Sequence, residues 1–123
     1  MNASPAQVLP SLPFAVLMVD DEAQACKWFA RLYGDEFVVW TAGGVDEALD
    51  ILSRRSSEIG VLLTDFRMPG RDGVELLGLV RRGHGHVGRL LASAYADKAV
   101  AMSAVNEGQV EHILEKPLDE ALT

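Results

Sequence analysis

Phe14-Ala-Val-Leu-Met-Val-Asp-Asp-Glu22 sets six apolar residues directly against three carboxylates. A continuous apolar run of that length fits a strand covered on both faces, and it is far short of the roughly twenty residues needed to cross a bilayer. Charge arriving all at once at its end fits a strand that opens into a polar crevice. Immediately downstream the apolar residues become Ala25, Trp28, Phe29 and Leu32. That i, i+3, i+4, i+7 spacing predicts an amphipathic helix, which Gly34 ends.

The same alternation continues along the chain. Glu36 to Thr41 reads as a second strand, and Val45, Ala48, Leu49 and Leu52 as the inner face of a second helix. Arg54 and Arg55 suit that helix's negative end. Gly60 to Thr64 is a third buried strand running into Asp65, followed by the turn-rich Met68-Pro-Gly-Arg-Asp-Gly73 and a helix from Val74 to Arg82. Val87 to Ser93, Asp97 to Asn106 and Val110 to Leu114 read as strand, helix and strand. Strands separated by helices of this length predict βαβ units and a doubly wound parallel α/β sheet of five strands with helices on both faces. In such sheets ligands bind outside the carboxyl ends of the strands.

With 123 residues the chain has room for one domain, expected over 14–123 behind a flexible, uncharged tail at 1–13 that holds three of the five prolines. Eleven Lys and Arg against eighteen Asp and Glu give a net charge of −7. That sign argues against direct contact with a nucleic-acid backbone and suits a site holding cations. One cysteine, Cys26, forms no internal disulfide, and neither a signal peptide nor a membrane span is expected. A cytoplasmic domain is the expectation.

The strand ends carry the chemistry. Asp20, Asp21 and Glu22 follow the first strand, Asp65 the third, Ser93 the fourth, and Lys116-Pro117 the fifth. Carboxylates that converge at about 4 Å repel by roughly 4 kcal/mol at an effective dielectric near 20, and so favour a bound cation. An all-oxygen ligand set suits Mg²⁺ (or Mn²⁺). One carboxylate can then act as a nucleophile towards phosphorus, with Ser93 and Lys116 neutralising the transferred group. Simpler readings exist for each residue alone: Asp20 and Asp21 as helix caps, Asp65 as a turn residue, Ser93 as a strand-end hydroxyl, Lys116 as a solvated cation. The spacing of the set favours the shared site. Cys26 reads as a small packed or half-exposed side chain rather than a redox centre, Trp28 and Trp40 as core or core-rim residues, and Gly83-His-Gly-His86 lacks further ligands at metal spacing.

Taken in order, Val19-Asp-Asp-Glu22, Thr64-Asp-Phe-Arg-Met-Pro-Gly70 with Asp72-Gly73, Leu91-Ala-Ser-Ala-Tyr95 and Glu115-Lys-Pro117 resemble the receiver domain of two-component response regulators. The resemblance implies a flavodoxin-like strand order 2-1-3-4-5. It makes Asp65 the phosphoacceptor, Asp21 a direct Mg²⁺ ligand, Asp20 a ligand chiefly through water, and the Arg67 backbone carbonyl part of the metal shell. Ser93 becomes the switch hydroxyl and Lys116 the ion-pair partner of Asp65 or its phosphate. The implied donor is a sensor histidine kinase or phosphotransfer protein. The implied target is an output domain, transcriptional in some relatives.

Two departures stand out. The family's aromatic switch residue, three before the Lys, is Ile113 here, and Tyr95 is placed to take part of its role. Only six residues follow Pro117, so the fifth helix is expected to be short or missing. The chain is then part of a longer regulator, or self-associates through its fourth helix and fifth strand. A receiver-like binding module acting independently of phosphorylation is the alternative. A haloacid-dehalogenase-type phosphatase fits less well, because its nucleophile belongs to an Asp-x-Asp pair after the first strand.

Overall fold

The computed structural model describes residues 15–94, 97, 99, 102–103 and 110–115. Strand β1 is Ala15–Val19, followed by helix α1 (Ala23–Tyr33), β2 (Val38–Ala42), α2 (Val45–Arg55) and a 3₁₀ turn at Ser56–Glu58. Then come β3 (Ile59–Asp65), α3 (Gly73–Gly83), β4 (Gly88–Ser93) and β5 (His112–Glu115). The strands form one parallel sheet in the order β2-β1-β3-β4-β5. The expected doubly wound fold is present. The N-terminal tail, most of the expected fourth helix and everything after Glu115, including the segment expected to hold a short fifth helix, lie outside the described residues.

All five residues of β1 are buried, and they divide by the two-residue period of a strand. Ala15, Leu17 and Val19 join the larger core with α2 and α3 residues such as Leu52, Leu76, Leu77 and Val80. Met18 faces the other way, into a smaller cluster with Cys26, Leu63 and Ala92, packed by Phe29, Leu90 and Leu114. Both faces therefore pack on helices, which is what an uninterrupted apolar strand requires. On the α1 side a cavity of about 350 Å³ is lined by residues including Val16, Phe29, Tyr33, Leu63, Leu90 and Leu114.

Helix α1 is rotated from its expected face. Cys26 is its buried residue, while Trp28 is 52% exposed and Leu32 also faces water. The Cys26 thiol points at the carbonyls of Asp20 (3.5 Å) and Ala42 (3.8 Å), so the helix rests its buried side chain on two strand ends. Trp28 is thus not a core residue. Trp40 is at the rim as expected, with the Arg55 guanidinium 4.6 Å from its ring centroid.

Four strand starts differ from the sequence reading: β3 begins one residue earlier, at Ile59, β5 begins two residues later, at His112, and at β2 and β4 a turn uses the amide first. Glu36 and Phe37 donate to the Tyr33 carbonyl, both at 3.0 Å, so β2 begins at Val38. Val87 donates to His84 at 3.0 Å, so β4 begins at Gly88. Glu111 bonds Arg89 at 2.8 Å, and the β5 ladder starts one residue later.

Candidate functional site

The ladder between β1 and β2 continues past Val19, because the Asp20 amide donates to Ala42 at 3.0 Å. That bond carries Asp20 into the protein, where it is 1% exposed, and its Oδ1 accepts the Glu22 amide at 2.9 Å. Asp21, one residue on, is exposed. Alternation along an extended chain thus points consecutive carboxylates into different surroundings.

Asp65 closes β3 and is 7% exposed. The turn after it is fixed on three sides. Phe66 donates to Ala92 at 3.0 Å, Gly73 donates to the Phe66 carbonyl at 2.8 Å, and the Thr64 hydroxyl donates to the Asp65 carbonyl at 3.0 Å. Gly70 sits at φ +81°, a left-handed position that glycine takes without a Cβ penalty. The chain then reaches Asp72, whose Oδ1 caps α3 by accepting the Glu75 amide at 2.9 Å.

Ser93 ends β4, buried to 2% exposure, and its hydroxyl donates to the Ala94 carbonyl at 3.1 Å. In the sheet Asp65 pairs with Ala92, so Ser93 stands one residue beyond, at the same crevice. Ser93 in turn pairs with Glu115. Lys116 follows that position in sequence and, like Tyr95, lies outside the described residues. Ile113 pairs with Leu91 and packs, half-buried, on the larger core.

Asp20, Asp21 and Asp65 each offer an oxygen, and the three lie within 4.8 Å of one another. Three convergent carboxylate oxygens are the donor set that would hold a small hard cation such as Mg²⁺. Its all-carboxylate chemistry disfavours softer metals. A cleft of about 360 Å³ opens beside Asp20 and Asp21, with Lys27, Thr41 and Glu47 on its walls. His86, from the His-rich loop, has Nε2 2.8 Å from the Ser56 carbonyl.

One contact was not foreseen. Arg67, expected to matter only through its carbonyl, sends its guanidinium to Asp97. Nε lies 3.0 Å from each carboxylate oxygen and Nη2 2.6 Å from Oδ1. Hydrogen bonds from Arg67, more than its charge, hold the Asp97 carboxyl below its ordinary value, and the same pair raises that of Arg67. The two residues are thirty apart in sequence, so no spacing rule pairs them; the available signal was an acid at the expected start of the fourth helix.

Among the described residues, no helix is long and apolar enough to cross a membrane. The model of the response regulator receiver domain family matches residues 16–122. The hydrogenase transcriptional regulatory protein HoxA of Cupriavidus necator is 37% identical over 102 residues, covering 83% of this chain and 21% of HoxA. The DNA-binding transcriptional regulator NtrC of Klebsiella pneumoniae is 33% identical over 104 residues, with 83% and 21% covered. A response regulator receiver domain protein from Clostridium thermocellum superposes with a TM-score of 0.80 at 27% identity, covering 86% of this chain and 84% of that one. The chain spans about a fifth of the length of the curated relatives it matches. Four ordered motifs at four strand ends, the 2-1-3-4-5 sheet and these likenesses agree: the chain belongs to the response regulator receiver domain family.

Proposed function

We propose that this receiver domain accepts a phosphoryl group on Asp65 and uses it to switch a partner or output domain. The observation that carries the reading is the convergence of Asp20, Asp21 and Asp65 within 4.8 Å, with Ser93 on the adjoining strand. Carboxylates this close repel one another unless a cation joins them, which fits a metal-assisted transfer.

In the transfer, a carboxylate oxygen of Asp65 attacks phosphorus. The bond from phosphorus to the donor breaks, leaving its electron pair on the donor. For phosphohistidine of a sensor kinase or phosphotransfer protein, the departing imidazole takes up a proton. Mg²⁺ bound by Asp20, Asp21, Asp65 and the Arg67 carbonyl would supply neutralising charge for the phosphoryl oxygens. Ser93 donates its hydroxyl to one of those oxygens, and Lys116 supplies a charge-assisted contact to another. Later attack by water on phosphorus releases phosphate and restores the carboxylate. The domain is an acceptor that assists its own modification rather than a turnover enzyme.

The switch is a population shift in the segment that follows Ser93. Ile113 has no ring to swing, so the readout does not run through an aromatic at that position, and Tyr95 is the nearer candidate. HoxA and NtrC are named as transcriptional regulators, which supports a transcriptional output for the longer protein. β5 is an outer strand of the sheet among the described residues, and self-association through it and the expected fourth helix is part of the proposal.

Incubation with acetyl phosphate, with and without Mg²⁺, tests the reading by intact mass. One phosphoryl group should be gained with the metal and almost none without it. Equal gain under both conditions would overturn the metal's part, and no gain under either would overturn the phosphoacceptor.

A further inference from the structure

We infer that Asp97, held by Arg67 and acting through the Ala94 carbonyl, is a positioning residue that holds Ser93 in its unphosphorylated arrangement. The inference rests on the reading of Asp65 as phosphoacceptor and adds a control that the reading does not contain.

Arg67 stands two residues after Asp65, in the turn that leaves β3, and its side chain is 77% exposed. It nevertheless reaches a carboxylate that is only 7% exposed, and grips both of its oxygens. Fixing a long, solvated side chain costs conformational entropy, and a planar guanidinium recovers it best in a forked contact such as this one. The Phe66 ring, 5.6 Å from the guanidinium carbon, backs the arrangement. The pair therefore ties the Asp65 turn to the segment beyond β4.

At its far end the tie bears on Ser93. The Asp97 amide donates to the Ala94 carbonyl at 2.9 Å, and the Ser93 hydroxyl donates to the same oxygen at 3.1 Å. A serine hydroxyl has one hydrogen to give. To donate it to a phosphoryl oxygen on Asp65, Ser93 must leave Ala94. Arg67 holds Asp97, Asp97 holds Ala94, and Ala94 holds the hydroxyl that the phosphoryl group needs. Breaking the ion pair loosens the competing acceptor and lowers the cost of switching.

The consequence has a sign that simple damage to the fold would not give. If the pair opposes switching, a variant lacking it binds a phosphoryl mimic more tightly, because less binding energy is spent on rearrangement. Damage alone would weaken binding. The probe is beryllofluoride with excess Mg²⁺, an acyl-phosphate mimic, titrated into the full chain and followed by fluorine NMR of the bound species. The variants are Asp97→Asn, Arg67→Gln and the double substitution, each checked for folding by thermal melting.

Apparent affinity should rise about two- to ten-fold in Asp97→Asn, the range expected when a partly exposed, bidentate ion pair is removed. The double variant should match Asp97→Asn, because one interaction is lost once. If Asp97→Asn fails to fold, Arg67→Gln carries the test, since its side chain is mostly in water. Affinity that is unchanged or lower in folded variants, with clear binding by the unaltered chain, overturns the role of Asp97 and leaves the phosphoacceptor intact. No binding by the unaltered chain overturns the phosphoacceptor reading, and this inference with it.

Discussion

Gly73 presses on the main chain of Asp65: a Cβ at Gly73 would overlap the Asp65 carbonyl oxygen and come 3.0 Å from its carbonyl carbon. The start of α3 and the turn that carries the acceptor carboxylate are thus one packed unit. The obstacle is backbone, so it cannot swing aside as a side chain would. Gly73→Ala should cost about 1–3 kcal/mol, the range for overpacking a tight contact, and should slow modification of Asp65. Gly83→Ala, at the other end of α3 with open space around its Cβ position, should be neutral or slightly stabilising. Urea denaturation of both variants checks the contrast, and equal effects would refute the close packing.

The acidic cluster makes a second prediction. A cation that binds only the folded state stabilises by linkage, about 1.4 kcal/mol when Mg²⁺ is ten times its dissociation constant. Mg²⁺ should therefore raise the melting temperature of the unaltered chain but not of Asp21→Ala. A shift that survives the substitution would locate the metal away from Asp20, Asp21 and Asp65.

How the sheet ends were legible, and α1 was not, has a physical reason. Buried parallel strands are written as uninterrupted apolar runs, and the residue after each run must meet the crevice. Asp20, Asp65 and Ser93 could therefore be found without a structure. A helix on the surface gives a weaker signal. Trp28 and Leu32 outweighed Cys26 in apolar bulk, yet the helix turned to lay Cys26 on the carbonyls of Asp20 and Ala42. The starts of β2 and β4 drifted by one or two residues because the amides of Glu36, Phe37 and Val87 serve turns. The Arg67–Asp97 pair was invisible because it is purely tertiary.

That rotation of α1 is itself testable. Trp28→Ala removes a large side chain that is 52% exposed, and should cost under about 1 kcal/mol. Leu77→Ala opens a void in the core under α3, and should cost about 2–5 kcal/mol. Chemical denaturation gives both values. A Trp28 cost comparable to Leu77 would return the tryptophan to the core.

Burial, followed by the nearby Asp20 charge, pushes the Cys26 thiol above its ordinary value of 9.0, although its contacts to the Asp20 and Ala42 carbonyls act the other way. The folded thiol ionises less readily than the unfolded one. Its share of stability is therefore intact below the ordinary thiol range and is lost as pH rises past it. Iodoacetamide should label Cys26 slowly in the native protein near neutral pH and quickly in urea. Native labelling as fast as that of the unfolded chain would place the thiol at the surface.

In the proposed reaction Asp65 itself carries the phosphoryl group. The most direct measurement is to modify the chain with acetyl phosphate and Mg²⁺, reduce the acyl phosphate with borohydride, and map the product by peptide mass spectrometry. Homoserine is expected at position 65, with no reduced residue in Asp65→Asn. Homoserine at Asp20 or Asp21 in the unaltered chain, or undiminished labelling of Asp65→Asn, would contradict it.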